Sequence, residues 1–304
     1  MNKFMLLILL LSDLVFSAEL ITPIPTNVEV DREKVELGKE LFFDTKLSKN
    51  KTISCATCHQ LQSGGDDNMV VSIGIDGQEG NINAPTVYNA VFNFRQFWDG
   101  RAKTLKEQAM GPVENPVEMG HDFQALVDEL KQSSYQKKFA LIYADGVTKE
   151  NIADAIAEFE KTLITPNAPF DLYLKGFKNT LTQKEKEGYE LFKTKGCIAC
   201  HQGINVGGSL YNKFGIFTDS NSTDLGRYKV TGKERDKYYF KVPSLRNIEK
   251  TAPYFHDGRT DDLSEAVRLM AQYQLGRKIT EEEVEKIVAF LKSLSGELPK
   301  SIEP

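Results

Sequence analysis

Two copies of one five-residue pattern constrain this chain more than anything else in it: Cys55-Ala56-Thr57-Cys58-His59 and Cys197-Ile198-Ala199-Cys200-His201. All four cysteines of the chain lie in them. Two thiols at this spacing add across the vinyl groups of one haem, and the adjacent histidine then reaches the iron as an axial ligand. Competing readings fit less well. A shared zinc site uses two Cys-x-x-Cys pairs but has no need of a histidine beside each. A local disulfide in so tight a loop is redox-active rather than structural. Chance repetition of the whole pattern is improbable. The chain is therefore expected to carry two covalently attached c-type haems.

The surroundings of the two motifs repeat as well. Gly38-Lys39-Glu40-Leu41-Phe42 precedes the first and Gly188-Tyr189-Glu190-Leu191-Phe192 the second. Each half closes on an amphipathic helix. One starts at Thr148 as N-cap, with Ile152, Ile156, Phe159 and Leu163 on one face; the other starts at Thr280, with Glu283 completing a capping box and Val284, Ile287, Val288, Leu291 and Leu294 apolar. Thr182 and Glu185 form a further box. Pro166 and Pro169 break the helix that ends near Leu163 and mark a linker over 165–169. Strand signals are few, with 237–242 the best. Gly- and Asn-rich loops over 63–86 and 203–233 follow each motif. The expected fold is mainly α: two cytochrome c-like domains, 19–165 and 166–304, each enclosing one c-type haem with long loops around it.

At the N-terminus, Lys3 precedes an apolar run, Phe4–Leu11 and Leu14–Phe16, followed by Ser17 and Ala18. This reads as a signal peptide over 1–18, cut after Ser17 or Ala18, and implies the periplasm. The run is too short for a comfortable membrane span. A formal net charge of -5 with interspersed signs argues against a nucleic-acid partner.

The sixth position on each iron separates electron transfer from catalysis. Beyond the motifs the chain holds only His121 and His256, and the methionines after the leader are Met69, Met110, Met119 and Met270. Residue type alone leaves their roles open. His256 reads equally as ligand, propionate partner or surface residue, and Met270, in an expected helix over 263–270, as ligand or core.

Longer motifs resolve this by resemblance. Leu37-Gly38-Lys39-Glu40-Leu41-Phe42-Phe43-Asp44, Asn83-Ala84-Pro85-Thr86, Phe97-Trp98-Asp99-Gly100-Arg101, Glu107-Gln108-Ala109, Glu118-Met119-Gly120, Val242-Pro243-Ser244-Leu245-Arg246-Asn247 and Thr251-Ala252-Pro253-Tyr254-Phe255-His256 resemble those of bacterial di-haem cytochrome c peroxidases, a superfamily that includes MauG-type enzymes. The resemblance implies a peroxidatic haem on Cys55, Cys58 and His59, with Glu118 as catalytic acid/base and Gln108 beside it. It implies an electron-entry haem on Cys197, Cys200 and His201 with Met270 as sixth ligand, where MauG-type relatives have Tyr. Trp98 matches the aromatic residue between the haems. A calcium ion is implied at Asn83, Thr251 and Pro253. Hydrogen peroxide as substrate, a small periplasmic cytochrome c or copper protein as donor, and a homodimer follow from the same resemblance. A non-catalytic di-haem carrier and a MauG-like protein-oxidising enzyme are the alternatives. In Ser72-Ile73-Gly74-Ile75-Asp76-Gly77-Gln78, Ile75 stands where many members carry a distal histidine; an isoleucine cannot ligate iron, so the first haem is expected to stay open when oxidised. His121, three residues from Glu118, is the remaining candidate ligand there.

Overall fold

The computed structural model describes residues 19–302; the expected signal peptide, 1–18, lies outside them. The first half contains α1 (Arg32–Phe43), α2 (Cys55–Cys58), α3 (Leu105–Glu114), α4 (Phe123–Lys131), α5 (Tyr135–Ile142) and α6 (Lys149–Lys161). The second contains α7 (Pro169–Leu174), α8 (Gln183–Lys195), α9 (Tyr228–Thr231), α10 (Leu263–Leu275) and α11 (Glu281–Lys292). Two short antiparallel strands, β1 (Tyr211–Lys213) and β2 (Tyr239–Lys241), form a ribbon with Asn212 opposite Phe240. The expected strand over 237–242 is thus real but shorter, and the loop over 203–233 contains β1 and α9. The helix carrying Met270 runs past it to Leu275.

The helix starts follow their caps. Asp31 accepts from the Glu33 and Lys34 amides at the head of α1. Thr148 accepts from Asn151 N at the head of α6. Thr182–Glu185 and Thr280–Glu283 make reciprocal boxes on α8 and α11.

Each half is built on one helix crossing, and the repeated glycine explains both. A Cβ on Gly38 would stand 1.8 Å from the Ala155 carbonyl oxygen; one on Gly188 would stand 1.9 Å from that of Lys286. Glycine therefore lets α1 touch the backbone of α6, and α8 that of α11. One turn on, Phe42 meets Phe159 edge-on at 5.2 Å, and Phe192 meets Phe290 at 5.0 Å. Around these crossings lie two separate apolar cores. The first gathers residues such as Leu41, Leu126, Phe139 and Ile156; the second Phe170, Tyr189, Ile287 and Leu294.

The ends of the chain cross between the halves. Ile21 packs into the second core and Ile302 into the first. Thr165, at the expected linker, is tied to both sides: its hydroxyl accepts from Asn89 Nδ2 at 2.8 Å and Asn247 Nδ2 at 2.9 Å. Among the described residues no helix is long and apolar enough to cross a membrane.

Candidate haem sites and the cavity at the second motif

The first motif lies on α2. Ser54 caps it together with Thr57, and the His59 amide donates to Cys55 O at 3.0 Å. The His59 ring is oriented by Nδ1, which lies 3.1 Å from Gly65 O. Gly65 has φ +78°, a left-handed turn suited to glycine, and that turn brings its carbonyl back over the histidine. The second motif repeats the device: His201 N donates to Cys197 O at 3.0 Å, and Nδ1 lies 3.2 Å from Val206 O. With Nδ1 held by a carbonyl, Nε2 is the nitrogen left to bind a metal. Burial lowers both imidazole pKa values, that of His201 to about 4, so the rings are neutral as a metal ligand must be. None of the four thiols is in a disulfide. The pairs pack against different cores, and among the described residues no group of three or more His, Cys, Asp or Glu side chains converges for a metal ion. Packing of the two pairs against different cores does not fit one zinc site shared between them.

Cys197, Cys200, His201 and Met270 line one cavity of about 350 Å³, walled mainly by apolar side chains. Met270 is half-buried on α10, on a face open to that cavity. Lys241, on β2, also lines it; it is 5% exposed and forms no ion pair among the described residues. Burial pushes its amine down to about 8. An apolar cavity with two thiols, a neutral histidine, a thioether and an unpaired buried amine fits a haem, which is flat, apolar and carries carboxylates on one edge.

Near the first motif, the turn over 115–121 folds back on the end of α3: Met119 N donates to Pro112 O and His121 N to Val113 O. This presents Glu118. Burial raises the pKa of its carboxyl, opposed by the Asn115 amide and the charge of Arg101. Asn115 Nδ2 donates to Oε1 at 2.6 Å. Burial raises the pKa of the Cys58 thiol, opposed by a hydrogen bond with Ser72, and the charges of Asp67 and, least, Glu118 add to the rise. Gln108 is half-buried on α3, one helical turn before Pro112. Ile75 is 4% exposed; its amide donates to Glu118 O at 2.7 Å, and its side chain packs towards Gly120. His121 is buried, with Nε2 3.7 Å from Glu129 Oε1 on α4, so its ring faces that carboxylate and is not on the surface.

Trp98 joins the halves. Its Nε1 donates to Asn83 O at 2.9 Å, and its carbonyl accepts from Lys241 N at 2.7 Å. His256, 3% exposed, is likewise not on the surface: it stacks on Phe240 at 4.2 Å, meets the Trp98 ring edge-on at 6.1 Å and pairs Nε2 with Ser222 Oγ at 2.9 Å. Asn83, Thr251 and Pro253 all line the cavity. Asn115, Lys241 and Asp66 escaped the sequence reading. A lone Asn, Lys or Asp carries no signal until its burial and partners are known.

Comparison with known proteins agrees with this geometry. The sequence model of the di-haem cytochrome c peroxidases matches residues 32–179, and that of cytochrome c matches residues 185–295. The cytochrome c551 peroxidase of Nitrosomonas europaea is 50% identical over 287 residues, 92% of this chain and 85% of that protein. The cytochrome c peroxidase of Escherichia coli is 50% identical over 285 residues, 91% of this chain; the chain spans 61% of that longer relative. A crystal structure of a MauG-like protein associated with microbial copper homeostasis superposes with a TM-score of 0.80 at 25% identity, covering 94% of this chain and 96% of that one. Identity of this level across both halves places the chain in the di-haem cytochrome c peroxidase family.

Proposed function

We propose that this protein is a periplasmic peroxidase that reduces hydrogen peroxide to two waters, consuming two protons and two electrons from a small cytochrome c or copper protein. Family membership implies two c-type haems, and the fold supports a division into 19–165 and 166–304 with one haem in each. Cys55, Cys58 and His59 hold the first; Cys197, Cys200, His201 and Met270 hold the second. When bound, the haems would supply redox-active iron, with Ile75 offering no ligand at the first site and Met270 offering a thioether at the second.

The residues of the chain handle the protons. Asn115 engages Glu118 Oε1 and leaves Oε2 free. Oε2 takes a proton from the incoming peroxide and returns it to the departing oxygen, with Gln108 beside it to orient the substrate. Trp98, bonded to both halves, lies on the route between the two sites. Asn83, Thr251 and Pro253 supply neutral oxygens for a calcium ion at the same seam. Met270 favours a peroxidase over a MauG-like oxidase, since a thioether raises the potential of the accepting centre.

The observation that supports the reading is a half-buried carboxylate, Glu118, held by Asn115 Nδ2 at 2.6 Å through one oxygen, with the other left unbonded among the described residues. Steady-state turnover with a reduced cytochrome donor tests it. Glu118→Gln is expected to lower kcat by about 10²-fold or more; unchanged turnover removes Glu118 from the mechanism. Ile75 leaves the first site without a distal histidine, so the fully oxidised protein is expected to show a high-spin signal by electron-spin resonance. An all-low-spin spectrum with bis-histidine features would refute the open site.

A further inference from the structure

The cavity at the second motif has an acidic residue that the function above does not use. Asp66 lines it, is 1% exposed and forms no ion pair among the described residues. Among the described residues the only side-chain donor to it is Asn68 Nδ2, at a long 3.4 Å from Oδ1. A buried carboxylate with so little compensation needs a positive partner. The neighbouring groups say which kind. The same Asn68 amide donates to Lys250 O and Ala252 O, both at 3.0 Å, so the carboxylate adjoins the chain segment that carries the Thr251 and Pro253 carbonyls. Across the cavity, Asn83 is 4% exposed and gives Nδ2 to Met69 O at 2.8 Å, which leaves its Oδ1 as an unspent acceptor. Apart from the Asn68 amide, the groups named here offer oxygen acceptors, and among the described residues no Lys or Arg pairs with Asp66. That is the environment of a hard cation rather than of an ion pair.

We propose that Asp66 is a direct, anionic ligand of a divalent cation, completing a site with Asn83 and the Thr251 and Pro253 carbonyls. The proposal rests on reading those three as calcium ligands and adds the charge they lack. Neutral oxygens alone bind calcium weakly, and ligand charge sets affinity over several decades. Asp66 therefore makes this a tight site, and it pins the first half, through the loop after the first haem motif, to the second half at the cation.

The test uses the mature protein with both haems, stripped with a chelator and titrated with calcium chloride by calorimetry. Wild type is expected to take up one calcium; Asp66→Asn is expected to bind about tenfold more weakly or worse, and Asp66→Glu to retain most of the affinity. Equal affinity of wild type and Asp66→Asn overturns the role of Asp66 while leaving the three-oxygen site standing. No uptake by wild type overturns both. Should Asp66→Asn fail to mature, a crystal structure of calcium-loaded wild type decides: an Asp66 oxygen at about 2.3–2.6 Å from the ion supports the assignment, and a carboxylate turned away from the ion ends it.

Discussion

Asn115 opposes the effect of burial on the Glu118 carboxyl. Burial alone drives the carboxyl towards its neutral form, and the Asn115 amide at 2.6 Å, with the charge of Arg101, pulls it back towards the carboxylate. The sign of a change there is fixed. In the proposed mechanism Glu118 must be unprotonated to accept the first proton, so the acid limb of kcat/KM is expected to follow its ionisation. Asn115→Ala removes a donor to the charged form and raises the carboxyl pKa. The acid limb of the pH profile should therefore move to higher pH, while the activity on the alkaline plateau falls far less than in Glu118→Gln. A profile that drops uniformly with an unmoved limb would mean that Asn115 only shapes the turn. Arg101, stacked over the Phe97 ring at 3.4 Å, is fixed in place for the same purpose, and its loss should shift the limb in the same direction.

At the scale of elements, the fold repeats one contact twice: a glycine on the helix before each haem motif laid against the backbone of the helix that closes that half. Gly188 shows it clearly, since an added Cβ would meet Lys286 O at 1.9 Å and Phe290 Cβ at 2.9 Å. Neither atom can swing aside. Gly188→Ala must therefore push α8 away from α11 and open the Phe192–Phe290 contact beneath. The expected cost is about 1–3 kcal/mol, despite the gain in helix propensity that alanine brings elsewhere. Chemical denaturation of the haem-loaded protein measures it, and a variant as stable as wild type would show that the crossing has slack. Gly38→Ala should behave alike in the first half. The recurrence of Gly-x-x-x-Phe before each motif was visible in the sequence as a repeat, yet its reason, backbone on backbone, became clear only in three dimensions.

Over the whole molecule, what the sequence disclosed was local and what it withheld was long-range. Covalent haem motifs, capping boxes and helix faces are written within a few residues of one another, so Cys55 to His59, Thr280 with Glu283 and the face of α6 were legible. The roles of Glu118 and Met270 came from resemblance, because a single carboxylate or thioether has no local signature. Nothing in the sequence disclosed that Asn68 bonds a carbonyl 182 residues away, or that Ile21 belongs to the second core. Arg246 is the hub of that last arrangement. Its Nη1 meets Asp171 Oδ1 at 2.7 Å, Nη2 donates to Thr22 O at 3.0 Å and Nε to Ile204 O at 2.9 Å, with both charged side chains fully buried. One guanidinium thus fastens the start of the described chain, α7 and the loop after the second haem motif. Asp171→Ala strands that charge and should cost about 3–5 kcal/mol, chiefly as the penalty of an unpaired buried ion. The Thr22 segment, held by a guanidinium that has lost its partner, should be cleaved by protease earlier than in wild type. The double variant Asp171→Leu/Arg246→Met separates the two contributions: it removes the stranded charge and should recover most of the stability measured by denaturation, while the N-terminal segment, with no donor left for Thr22 O, stays protease-sensitive. Recovery of stability without that sensitivity would show that Ile21 and Ile24, both buried, hold the segment by packing alone.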